Sequence, residues 1–205
     1  MTDFIVSPMR EHPERFYVCQ IENPQEVENW ENQPSSDDDL TKPEYNWCAM
    51  CCVKMIAKAL TIQTSDLLEM YQTAFTKYDV YKMENGKVLG AYHKELADYI
   101  ETELSLKAIA KRNLTVDDVK SIVGEDNFFI ASVSGEISDL NVEPKRKKGH
   151  MVLVYGFNEQ GFFIHNSAGF SRMKTQKNVL VPFEFFEKCF SRSGICVLAA
   201  TFPPA

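Results

Sequence analysis

Apolar positions change their spacing partway along the chain. From residue 48 to 125 they recur at intervals of three and four; beyond 127 they gather in short runs divided by turn residues. Cys52, Ile56 and Ala59 share one face of a helix starting near Cys48, with Met55 and Leu60 beside them. Leu67, Leu68, Tyr71 and Phe75 place a second helix over 65–75, and Leu96, Ile100 and Leu104 a third over 92–104. A short strand, LKAIA at 106–110, interrupts. Thr115 to Asp118 resembles a capping box and opens a short helix with Val119 and Ile122 inward. The runs 127–134, 151–157, 161–167, 178–181 and 194–202 are rich in β-branched and aromatic residues and read as strands. One helix intervenes, PFEFFEKCF, with Pro182 suited to its first turn. Helices followed by strands predict an α+β fold, with the helices packed on an antiparallel sheet. Residues 135–149 form a long loop, a common place for function.

The first 43 residues break this pattern. Pro8, Pro13, Pro24, Pro34 and Pro43, the run SSDDD and weak periodicity predict an N-terminal arm, partly disordered around 23–43, before a domain over 44–205. Phe16, Tyr17, Val18 and Ile21 supply one short strand or anchor within it. The net charge of −7 is concentrated there. Glu22, Glu26, Glu28, Glu31, Asp37, Asp38, Asp39 and Glu44 face Lys42 alone, so the remainder is near neutral. A nucleic-acid-binding domain should carry a basic face, so that class is excluded. The one basic run, Lys145 to Lys148, rims the long loop and opposes the acidic arm in sign. No apolar run approaches the roughly 18 residues of a membrane span, and the N-terminus lacks a secretory pattern. The expected location is the cytoplasm at synthesis, with reduced thiols; leaderless secretion or delivery into a host leaves no mark in a sequence.

Three cysteines fall within five positions, in WCAMCC at 47–52. A helix N-terminus stabilises a thiolate, and only Cys48 stands at the helix start. Cys51 and Cys52 lie one turn inside, where Cys52 joins the apolar face. Among the histidines, His12 lies in the arm and His93 on a charged helix. His150 opens an apolar strand, and His165 lies on the next strand beside Asn166. With a three-residue loop of Asn158 to Gln160, Phe157 pairs with Gly161 and Asn166 with Val152. His150 and Asn166 then share a face as diagonal neighbours about 7–8 Å apart, and His165 points the other way. Cys48, His150 and Asn166 thus make a nucleophile, a base and a group orienting that base, with the Cys48 N–H as an oxyanion donor. Against this stand a metal or redox pair at Cys48-x-x-Cys51, inert core thiols, and a plain turn role for Asn166.

CAMCCVKM at 48–55 resembles the Cys-Gly-Pro-x-Cys/Ser-Leu-Ala-Met block of bacteriocin-processing, double-glycine-leader peptidases and their stand-alone relatives in the papain-like group. GHMVLVYGFNEQGFFIHNSAGF at 149–170 is similar to their Gly-His-strand, turn, strand and Asp-Pro block. The resemblance spans residues 44 to 202. It implies a papain-like fold and a cysteine peptidase that needs no cofactor and no metal. Cys48 falls on the nucleophile, His150 on the base and Asn166 on the Asp. Ala49-Met50 replaces Gly-Pro, and Asn166-Ser167 replaces Asp-Pro. The family's oxyanion glutamine, six residues before the cysteine, falls on Lys42, with Asn46 a nearby substitute.

The function expected is hydrolysis of a peptide or other amide bond through a thioester. A peptide or protein is the partner, with no nucleic acid or membrane. The alternatives are an inactive module that binds peptides, and an acyltransferase or transglutaminase-like enzyme on the same fold. A host-directed effector or toxin is compatible with the leaderless sequence.

Overall fold

The computed structural model describes residues 3–20 and 46–199. The masses of helix and strand fall where the periodicity puts them. Helix α1 spans Cys48–Ala59, α2 Leu67–Thr76, α3 His93–Leu104, α4 Val116–Gly124 and α5 Phe183–Cys189. Local chemistry sets several of these ends. Asp66 caps α2 by accepting from Glu69 N–H at 2.9 Å. Thr115 and Asp118 close the predicted capping box on α4.

The sheet is antiparallel throughout. Strand β1 is Phe4–Ile5, β4 Ala108–Arg112, β5 Phe128–Ser134, β6 Gly149–Phe157, β7 Gly161–His165, β8 Val179–Pro182 and β9 Phe190–Val197. The order is β4-β9-β5-β6-β7-β8, with β1 pairing β6 off this path. Helix α1 packs on the centre of the sheet at β6, α4 on β5 and β6, and α3 on β4 and β9. The core between them is apolar, with Phe128, Phe129, Tyr155, Phe162, Phe186 and Phe190 fully enclosed.

Two features differ from the sequence reading. A separate two-stranded ribbon joins α2 to α3: β2, Tyr81–Glu84, pairs with β3, Lys87–Gly90. Its turn is Asn85-Gly86, both at positive φ (51° and 74°), the dipeptide that suits a tight hairpin. The second concerns the stretch expected as an arm. Residues 3–20 pack on the domain. Val6 and Met9 are fully buried, and β1 pairs Phe4 and Ile5 with Phe157 and Gly156. Apolar residues there are sparse; Val6 and Met9 bury completely and Phe4, Ile5, Phe16, Tyr17 and Val18 partly, which a periodicity test over so short a stretch does not detect. The acidic stretch 22–44, including Lys42, and the end of the last predicted strand at 200–202 lie outside the described residues. Among the described residues no helix is long and apolar enough to cross a membrane.

Candidate active site

Strand register decides which side chains meet. The β6–β7 turn holds four residues, not three, so Phe157 pairs with Phe162 and Gly156 with Phe163. That single-residue offset alone would turn Asn166 away from His150. A bulge between Val154 and Gly156, at Tyr155, cancels it. Beyond the bulge Val154 pairs with Ile164 and Leu153 with His165, the register predicted for the site end.

The outcome is a direct contact. His150 Nε2 lies 2.7 Å from Asn166 Oδ1, and both residues are buried. The surrounding donors assign the tautomer. Ala168 N–H donates to Asn166 Oδ1 at 3.2 Å, and Asn166 Nδ2 donates to Ser138 Oγ at 3.0 Å. Those partners fix which end of the carboxamide is oxygen. An oxygen facing Nε2 requires Nε2–H as donor, so Nδ1 carries the lone pair of the neutral ring. Ser138 is held in turn: its Oγ donates to Ala168 O at 3.2 Å, and its carbonyl accepts from Thr175 Oγ1 at 2.7 Å. Tyr17 Oη reaches Asn166 O at 3.3 Å from the N-terminal segment. Gly149, at φ +110°, turns the long loop into β6 immediately before His150.

Cys48 opens α1 and is half-buried. No side chain caps this helix; its N-cap is Trp47. Backbone groups of Met151, Ala49 and Cys48 act on the sulfur instead and favour the thiolate. Met151 follows His150 directly, and α1 packs on the strand that carries both. Burial nevertheless dominates and pushes the Cys48 pKa up. Burial likewise pushes His150 down, with the Asn166 contact opposing it. On the thiol's pKa, enclosure thus outweighs the backbone groups at the helix start.

The other candidates separate clearly. Cys51 and Cys52 are fully buried, with pKa pushed far up by enclosure. All six cysteines are free thiols. His165 faces away from the site: its Nε2 lies 2.9 Å from Pro13 O, and its Nδ1 accepts from Asn178 N–H at 3.1 Å. Asn46 stands just before Trp47 with its Nδ2 buried and unpartnered among the described residues. Lys42 lies outside them. Among the described residues no group of three or more His, Cys, Asp or Glu side chains is placed to hold a metal ion.

Two residues escaped the sequence reading. Ser138 holds Asn166 from a loop 28 positions away. Gln20 is buried, with Oε1 accepting from Ser167 Oγ at 3.2 Å and its N–H reaching Ser167 O at 3.3 Å. Gln20 and Ser167 are 147 positions apart in the chain, a separation at which spacing carries no signal.

Comparisons with known proteins agree with this architecture. A C39-like peptidase designation attaches to a solved Bacillus anthracis structure at TM-score 0.60 and 15% identity, covering 97% of this chain and 98% of that one. The peptidase domain of Streptococcus ComA, a bifunctional ABC transporter involved in quorum sensing, aligns at TM-score 0.48 and 14% identity, over 74% of this chain and 90% of that one. No curated protein matches. The Peptidase C39-like family model matches residues 25–195, a span holding the thiol helix, the histidine strand and the asparagine, and the chain belongs to that cysteine-peptidase family.

Proposed function

We infer that the chain is a cysteine peptidase acting through Cys48, His150 and Asn166. His150 Nδ1 takes the thiol proton as Cys48 Sγ attacks the carbonyl carbon of an amide. His150 returns that proton to the leaving amine as the carbon–nitrogen bond breaks. Water, activated by the same nitrogen, then hydrolyses the thioester. Asn166 Oδ1 accepts from Nε2–H throughout, so the imidazolium that forms keeps its orientation. The Cys48 N–H and a carboxamide, from Gln20 or Asn46, cover the oxyanion.

The observation that supports this most strongly is the Asn166 carboxamide fixed at both ends, which leaves Nδ1 as the basic nitrogen of His150. The raised thiol pKa and lowered imidazole pKa favour a neutral resting pair. The ion pair is then formed as substrate excludes water and those backbone groups take up the charge. A fluorogenic peptide library tests the reading. Turnover by the wild-type chain should vanish in Cys48→Ala and His150→Ala and fall about 10²-fold in Asn166→Ala. Turnover surviving Cys48→Ala would refute it.

The neutral resting pair also favours a second reading, a module that binds peptides without cleaving them. Peptide binding by both wild type and Cys48→Ala, with no cleavage by either, would select it.

A further inference from the structure

Three side-chain donors are buried with no hydrogen-bond partner among the described residues: Asn46 Nδ2, Trp47 Nε1 and Tyr81 Oη. Leaving a buried donor unpaired is costly, and folded proteins keep few of them. These three are not scattered. Asn46 and Trp47 immediately precede Cys48 in the chain. Tyr81 joins them through its ring, 4.7 Å from that of Tyr71, which lies 6.2 Å from that of Trp47. Tyr71 thus links the Tyr81 ring to Trp47, the residue directly before Cys48.

The Tyr81 ring is held without help from its hydroxyl. Tyr71 packs on it, and Gly90 pairs with it across the β2–β3 ribbon. A Cβ at Gly90 would stand 3.2 Å from Tyr81 Cδ1. Phenylalanine would fill the same place and remove the cost of the unpaired O–H. A hydroxyl that the fold does not use, in the aromatic cluster that adjoins Cys48 through Trp47, points to a partner that arrives from outside.

We propose that Tyr81 Oη and Trp47 Nε1 line an aromatic-walled subsite that holds a neutral hydrogen-bond acceptor of the substrate, a peptide carbonyl or side-chain carboxamide, next to the bond attacked by Cys48. Both donors are uncharged. A carboxylate would lose its water there without gaining a counter-charge, whereas a neutral carbonyl gives up less and finds two donors. Tyr81 is thus a positioning residue for the substrate. The proposal rests on Cys48 being the nucleophile.

Two activated esters separate the two claims. p-Nitrophenyl acetate offers only the reacting carbonyl; the p-nitrophenyl ester of N-acetylglycine adds one amide acceptor. With either, Cys48 Sγ bonds to the ester carbonyl carbon and the carbon–oxygen bond to p-nitrophenolate breaks. The thiol proton passes to His150. Nitrophenolate release gives the rate, and intact mass gives the acylated residue. The wild-type chain should favour the acetylglycyl ester. In Tyr81→Phe the ratio of the two rates should fall about tenfold, the worth of one hydrogen bond. The melting temperature should at the same time rise by roughly 2–4 °C as an unpaired buried hydroxyl is removed. Trp47→Phe should lower the ratio as well, and a ratio does not depend on how much of the variant is folded. An unchanged ratio in Tyr81→Phe overturns the subsite while leaving Cys48 as nucleophile. A lowered melting temperature overturns it too, by showing the hydroxyl to be paired within the fold. Failure of both esters to acylate wild-type Cys48 overturns the peptidase reading and the subsite with it.

Discussion

His165 bridges the N-terminal segment, through Pro13 O, and Asn178 N–H, and it keeps both contacts only while its ring is neutral. It is fully buried between Tyr155 and Tyr17, with ring centroids 4.6 Å and 5.8 Å away. Asn178 N–H occupies Nδ1, so a second proton has no place to go without breaking that bond. Burial drives its pKa from 6.5 down to about 4; the Pro13 carbonyl and Glu14 pull the other way, and Lys58 and Lys177 add to the fall. At about 1.4 kcal/mol for each pH unit, the drop corresponds to about 3 kcal/mol. The folded-state pKa is depressed, so this stability is fully present above pH 6.5. It is lost progressively as the pH falls towards 4, and nothing further is lost below that. Set against a typical domain stability of about 5–15 kcal/mol, the loss is large. Urea unfolding of wild type and His165→Gln at pH 7.5, 6.5, 5.5 and 4.5 measures it. Glutamine does not titrate and still donates, and every other acid-sensitive group is common to both chains. The stability difference between them should therefore shrink by about 2.5 kcal/mol between pH 7.5 and 4.5. Parallel curves would refute the assignment of a proton-excluding role to His165.

Asn166→Asp, which installs the residue the related motif carries, should retain activity, with the acidic limb of the pH–rate profile moved upward as a carboxylate stabilises the imidazolium. Alkylation of Cys48 by iodoacetamide at pH 7, read by mass spectrometry, should be slower than that of a free cysteine and rise steeply with pH, because burial holds the thiol protonated. Gly169→Ala should abolish activity and cost several kcal/mol in a denaturant series, since its Cβ would meet Thr175 O in the loop that carries Asn166. Ser138→Ala leaves Asn166 Nδ2 unpaired in the core and should cost about 1–3 kcal/mol, with a larger effect on kcat than on KM.

What the sequence revealed was mostly local. The start of α1 at Cys48 and the Thr115–Asp118 box are written in consecutive residues. The ribbon at 81–90 was equally legible in Asn85-Gly86, but the alternation around it is weak and exposed. The His150–Asn166 pairing came out right through two offsetting offsets, the longer turn and the bulge at Tyr155. A bulge has no marker in period-two patterning. Ser138 and Ala168 reach Asn166, and Gln20 its neighbour Ser167, from distant segments or through backbone groups, where spacing carries no information. The thiol's environment is likewise only partly local. Helix position is local, whereas burial is set by the whole fold, and burial dominates.

The stretch matched by the family model is not the stretch that holds together. A fragment cut at residue 25 would lose Gln20, strip the Gly156 edge of its partner, and leave His165 Nε2 with no acceptor. It would also vacate the places of Val6 and Met9, at about 2 kcal/mol or more apiece. Expression trials guided by homology limits should accordingly yield aggregates or a proteolysed product, and those beginning at the first residue a folded one.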